Sequence, residues 1–315
     1  MTGRLQRLLL VILAGVIAVD CGWASVQHFD IDLRAYAMLG LLAFGLTAAG
    51  LFYARVRADE HLSAMLFGAA FLIAFSASFS LFNYLLLTVA GSRIDAALAG
   101  VDRAMGVDWP AMMAVAADHP FANKLLEIAY NSVLPQIVVL IVILAGLRRS
   151  VEIYRFSLAL AVGAAITVCV WTAFPSFGAF SVYELPASVS SRLSVALDGH
   201  YAHDLVSLLA NGPGMISPHE IKGLIGFPSF HAVLALLVAW YAWPLAGWRW
   251  PALGLNAVVL LGTPIQGGHH VVDVMAGFAV AAASVAVASS LARGRLAAPS
   301  PRLAGTAADL QPNPS

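Results

Sequence analysis

Eight stretches of the chain are apolar for long enough to approach the roughly 20 residues that a helix needs to cross a bilayer. They fall at about 8–26, 35–54, 64–90, 128–147, 156–174, 231–246, 252–265 and 271–292. The seventh is short, but the turn before it, "GWRWP" (247–251), carries the tryptophans that favour a membrane interface. The pattern predicts an all-α, multi-pass membrane protein with about eight transmembrane helices. Polar side chains inside these stretches are few. Asn83 and Gln136 are expected to bond between helices, and "FLIAFSASFSLFNYLLL" (71–87) reads as packing surface or as one wall of a lipid groove.

Two segments between spans are too long to be simple links. In 91–127, Ile94, Leu98, Val101 and Met105 recur at helical spacing with Asp95 and Asp102 on another face, which predicts a helix lying at the interface. Asp108 ahead of "WP" then reads as an N-cap with proline at the first helical position. The second excursion, 175–230, ends in "GLIGFPSFHAV". The predicted organisation is two N-terminal helices in 1–60, a six-helix core in 61–292 with outer segments 91–127 and 175–230, and a disordered Pro/Ala/Ser-rich tail in 293–315.

Composition agrees. Sixty per cent of the 315 residues are hydrophobic and 11% are charged, with mean hydropathy +0.84, whereas a soluble domain carries about a quarter charged residues. The net charge of zero offers no footprint for nucleic acid. Arg4 and Arg7 ahead of "LLLVILAGVIAV" resemble a secretion signal, yet no A-x-A-like site follows, so this reads as an uncleaved first span. Cys21 and Cys169 lie in apolar stretches and are expected to be buried thiols without a disulfide.

Arginine sets the orientation. With eight spans, Arg4, Arg7, Arg55, Arg57, Arg148, Arg149 and Arg155 fall on the side of the two termini, which the positive-inside rule makes cytoplasmic. Both long excursions then face outward. The ends of spans five and seven (Phe174-Pro175, Thr263-Pro264) and the starts of spans six and eight ("PSFHA", "HHVVD") all reach that outer face.

There the chemistry collects. His269 and Asp273 are four residues apart, so the carboxylate can reach one ring nitrogen and leave the other free to attack. His231 supplies a separate acid/base group. The helix starts, with Gly267 and Gly268 leaving N–H groups open, favour an anion such as phosphate. Competing readings stand beside these. His269 and Asp273 could simply lock helices together, or serve metal or proton transport. His231 could cap its helix, and His270, about 100° around from His269, could be a packing or head-group contact. Ser229 reads as a helix cap or phosphate contact, not a nucleophile, because no second base is placed for it. His200, His203 and Asp204 in "GHYAHDL" form a solvated turn or, less simply, a zinc site.

Pro228-Ser229-Phe230-His231, followed by His269 through Asp273 to Gly277, resembles the type-2 phosphatidic acid phosphatase superfamily of membrane lipid phosphatases. The resemblance covers roughly 150–290. It implies a six-helix catalytic core, His231 as general acid, His269 as the histidine that is phosphorylated, Asp273 as its orienter, and no metal or other cofactor. The phosphatase branch usually carries a Lys…Arg-Pro motif where this chain has Phe174-Pro175, and an arginine where it has Thr263. "FPSFH" with "TPxxGGHH", and "VDRAMGVDWP…AYNSVLPQ" (101–136), look instead like the subgroup containing inositol phosphorylceramide synthase, in its bacterial members.

A phosphomonoester is close to dianionic and its transfer leans on fixed cations, whereas a phosphodiester lipid carries one charge. The missing arginines therefore favour phosphodiester head-group transfer over monoester hydrolysis. Lys222 or Arg192 could still fold over the site, with Ser229, Gly268 and His270 as further phosphate or head-group contacts. The expected partners are a membrane phospholipid, a hydroxyl acceptor (water or lipid) and the bilayer of the cell membrane, with the site facing outward. A transporter or proton relay is the non-enzymatic alternative.

Overall fold

The computed structural model describes residues 2–27, 29–197, 199–220 and 222–293. The tail expected to be disordered lies, from residue 294, outside the described residues. Among them the fold is all-α. Long helices α1 (Thr2–Gln27), α2 (Leu33–Arg55) and α3 (Glu60–Leu85) are followed by the shorter α4 (Asp95–Ala104), α5 (Trp109–Asp118), α6 (Pro120–Asn131) and α7 (Val133–Gly146). Then come α8 (Ser150–Ala173), α9 (Ala187–Ser190), α10 (Gly199–Asn211), α11 (Phe230–Ala242), α12 (Arg249–Gln266) and α13 (Val271–Arg293).

A helix stands at every place where a span was predicted. Five of them, α1, α2, α3, α8 and α13, are long and apolar enough to cross a membrane, and α6 with α7 makes a sixth if a 50° bend is allowed. The expectation of eight complete spans is corrected to that extent. At 1.5 Å per residue, the 13 residues of α11 reach only about 20 Å, short of the roughly 30 Å hydrocarbon layer. The bend has a local cause. Pro135 has no N–H to offer Asn131, and its ring excludes that carbonyl, so the helix predicted across 128–147 breaks at Ser132. In α12, by contrast, the helix continues past Thr263-Pro264 to Gln266.

Helix α8 is the centre of the bundle, buried over most of its apolar length, and it packs on α3, α11 and α13. Phe71, Phe75 and Phe79 stack at successive i,i+4 positions of α3, with centroids 5.3 and 4.9 Å apart. Gln136 does link helices, accepting from Asn256 Nδ2 at 2.7 Å. The first two helices join this core: α1 packs on α3 and α8, and α2 on α3. Cys21 and Cys169 are free but exposed, not buried. Apolar neighbours in sequence mark a lipid-facing surface as readily as an interior.

The outer segment 91–127 departs from its prediction. Asp108 caps α5 as expected, accepting from Ala111 N at 3.0 Å, though proline follows Trp109 at the second helical position. Around α4 the expected faces are mixed: Asp95 and Asp102 are buried together with Leu98, while Val101 and the C-cap residue Met105 are exposed. Each carboxylate has backbone donors to satisfy, and these outweigh the burial of two apolar side chains.

Candidate active site

Helices α11 and α13 cross where they start. Ser229 N donates to Asp273 O at 3.0 Å, and a Cβ on Gly277 would lie 2.8 Å from that of Ala232, so only glycine permits the approach. Ser229 caps α11, accepting from Ala232 N. His269 sits just before α13, in a turn that places Gly268 at φ +61°, a conformation open to glycine, with Phe180 packed where a side chain would go.

This turn fixes the His269 ring. Nδ1 lies 3.0 Å from Gly226 O and 3.3 Å from Asp273 Oδ2. Both are acceptors, so Nδ1 carries the proton and Nε2 keeps its lone pair. Asp273 Oδ2 also accepts from His270 N at 2.9 Å, while its Oδ1 has no hydrogen-bond partner. Nε2 lies 3.3 Å from Ser229 Oγ. The base beside Ser229 is thus His269 itself. The hydroxyl is nevertheless fully buried and engaged at the helix cap.

His231 and His269 line one cavity of about 470 Å³. Phe75, Phe79 and Asn83 of α3 form one wall and Leu160, Ala164 and Val168 of α8 another, which bears out a groove wall in 71–87. Asn83 leaves its Oδ1 without a hydrogen bond instead of linking helices. The ring of His231 is stacked on Tyr130, with centroids 4.0 Å apart and planes 6° off parallel. Such stacking holds an imidazole in one orientation, and a hydrogen bond to the Tyr130 backbone fixes it further.

Residues 96–287, well over half of the chain, match the PAP2 superfamily. The chain belongs to the PAP2 superfamily. No curated protein and no solved structure matches it. Members of this superfamily are phosphatases or phosphotransferases, and membership supports a lipid enzyme of that kind. The match begins at α4, so the PAP2 region takes in the outer helices α4–α6 as well as the motif-bearing part.

Those outer helices hold the residues that the sequence reading missed. Asp95 accepts from Ser176 Oγ (2.8 Å), Phe177 N (2.7 Å) and Gly178 N (3.0 Å) and pairs with Arg93. It thereby shapes the turn after α8, whose Ala179 N in turn donates to Gly268 O at 2.6 Å. Asp102 accepts from Val271 N (2.8 Å) and Val272 N (3.0 Å) at the start of α13. The α13 N-terminus is thus already occupied by a carboxylate, and that of α11 by Ser229. Neither helix start is open to phosphate in the way the sequence suggested. Two aspartates seven residues apart on one helix were the available signal.

The remaining candidates separate. Arg192 is exposed and pairs with Asp118 at 2.7 Å, and it is not among the residues lining the cavity, so it supplies no cation there. Lys222 does line the cavity, yet its ammonium pairs with Asp204. This pair holds the Asp204 carboxyl below its ordinary value. Asp204 is thereby engaged, and among the described residues no three His, Cys, Asp or Glu side chains converge as metal ligands. His270 is fully buried with Nδ1 3.7 Å from Asp102 Oδ2, and it faces the protein instead of a head group. Where phosphatase-branch PAP2 enzymes would place a clamp arginine, Thr263 is buried and bonded to Val259 O. Phe174 ends α8 half-exposed.

Proposed function

We propose that this membrane protein transfers a phospho-head-group between lipids through a phosphohistidine on His269. The observation that supports this reading is the pair of acceptors on His269 Nδ1, which leaves a nucleophilic Nε2 at a cavity shared with His231. In the first step Nε2 forms a bond to phosphorus, and the phosphorus–oxygen bond to the diacylglycerol portion breaks. His231, entering protonated, gives its proton to the departing oxygen. Asp273, on Nδ1, stabilises the positive charge that the ring acquires. In the second step an acceptor hydroxyl loses its proton to His231, its oxygen bonds to phosphorus, and the nitrogen–phosphorus bond breaks.

The charge inventory favours a diester. Lys222 is the one Lys or Arg lining the cavity among the described residues, and Asp204 already neutralises it. One cation with a partner suits a phosphate of single charge better than a near-dianionic monoester. The apolar walls suit acyl chains, and the arginine-rich loops support a cavity that faces outward from the cell membrane.

The test uses purified protein in detergent, with His269→Ala as control. It receives phosphatidic acid or, separately, phosphatidylinositol with ceramide or diacylglycerol as acceptor. New phospholipid from the diester, absent in the control, supports transfer. Phosphate release from phosphatidic acid alone refutes it in favour of a lipid phosphatase.

A further inference from the structure

A second cavity, of about 740 Å³, lies on the far side of α3 from the candidate active site. Helices α1 and α2 both lean on α3 but barely touch each other, which leaves a cleft between them. Ile17 and Cys21 of α1, Leu33 and Gly40 of α2, and Ala77 and Leu81 of α3 contribute to its lining. Leu33 and Cys21 are exposed, so the cleft opens on the surface that faces lipid.

At its base is a carboxylate. Asp20 is 3% exposed. Its Oδ2 accepts from Ser78 Oγ at 2.5 Å, and its Oδ1 has no hydrogen-bond partner. A buried carboxylate oxygen left unpaired is costly. The residue stands seven positions before the end of α1, or about 10 Å along the axis, close to the outer boundary of the hydrocarbon layer. The charged residues in the lining are Asp20 and Asp30, and no Lys or Arg is among them.

We propose that this cleft binds a neutral lipid alcohol, a diacylglycerol-like molecule whose free hydroxyl donates to Asp20 Oδ1 while its chains lie along α1, α2 and α3. Charge selects the class. A phosphate would meet two carboxylates and no cation, whereas a hydroxyl can donate to the unpaired Asp20 Oδ1. Depth agrees, because a glycerol hydroxyl lies at the edge of the hydrocarbon layer. The site is separate from the His231–His269 cavity and stands without the reaction proposed there.

The experiment is photo-crosslinking of the full chain in nanodiscs with a diacylglycerol that carries a diazirine in one acyl chain, with adducts mapped by mass spectrometry. Adducts are expected within 17–36 and 74–81. They should fall about tenfold when the probe hydroxyl is acetylated, and similarly in Asp20→Leu and in the cleft-filling Ala77→Phe. Equal labelling by the acetylated probe of the wild-type chain would overturn the proposal, and this arm needs no variant to fold. So would adducts spread evenly over α7 and α12, or full displacement of the probe by phosphatidylethanolamine.

Discussion

Replacing Asp102 by alanine should destabilise the protein far more than the loss of one small side chain suggests. The carboxylate is 1% exposed and accepts from Val271 N at 2.8 Å and Val272 N at 3.0 Å. In the first turn of a helix these N–H groups have no partner within the helix. Alanine leaves both donors unpaired in a mostly buried setting, at about 1–3 kcal/mol each, and removes a favourable charge from the positive end of α13, about 0.3–1 kcal/mol. Water reaching the gap would trim the sum, so the expected loss is about 2–5 kcal/mol. Asparagine keeps one oxygen that can serve the same donors, and Asp102→Asn should cost only about 1 kcal/mol. Denaturant titration of the purified protein, followed by circular dichroism, measures both as shifts in midpoint at unchanged slope. An alanine variant within 0.5 kcal/mol of wild type (roughly the spread of ordinary surface substitutions) would refute the capping role. An asparagine variant as weak as alanine would shift the cause to the charge facing His270, 3.7 Å away.

Three further outcomes are expected. Asp273→Asn removes the negative charge from His269 Nδ1 and should lower kcat by about 10²–10⁴-fold, with an unfolding midpoint that shows the fold intact. Tyr130→Phe keeps the stack on His231 and should leave kcat nearly unchanged. Tyr130→Ala loses an aromatic pairing of about 0.5–1.5 kcal/mol and should cost up to about tenfold in steady-state turnover. The Asp204 carboxyl is held below its ordinary 3.8 chiefly by its hydrogen bond to Lys222. The stability that this pair contributes is therefore fully present above about pH 4 and is lost as pH falls through the lowered value. Hydrogen exchange of 199–211 should show protection down to pH 4 and its loss below, and Asp204→Ala should lack it at every pH.

The helix positions and the cluster of His231, His269 and Asp273 were legible in the sequence, because hydropathy and i,i+4 spacing act within a single helix. Orientation around a helix axis was not. In water an apolar face points inward, but in a membrane it can as well point at lipid, and so Cys21 and Cys169 were placed inside and Asp95 and Asp102 outside. The two aspartates are buried because most of their partners are backbone N–H groups, at 177–178 and 271–272, and backbone donors leave no mark in the residue pattern. Long-range side-chain pairs were equally hidden. The Tyr130–His231 stack joins two helices 101 residues apart, and Lys222 meets Asp204 through the fold of an outer segment. Span four failed as a single helix although Pro135 was in view, because hydropathy alone carries no penalty for a missing N–H.

The most direct measurement is the mass of the enzyme caught during turnover. Protein mixed with phosphatidylinositol for milliseconds, without acceptor, and quenched at alkaline pH should carry a phosphoinositol adduct on His269, found by peptide mapping and absent in His269→Ala. The same adduct on Ser229, whose Oγ lies 3.3 Å from His269 Nε2, or turnover that survives His269→Ala, would contradict the phosphohistidine reading.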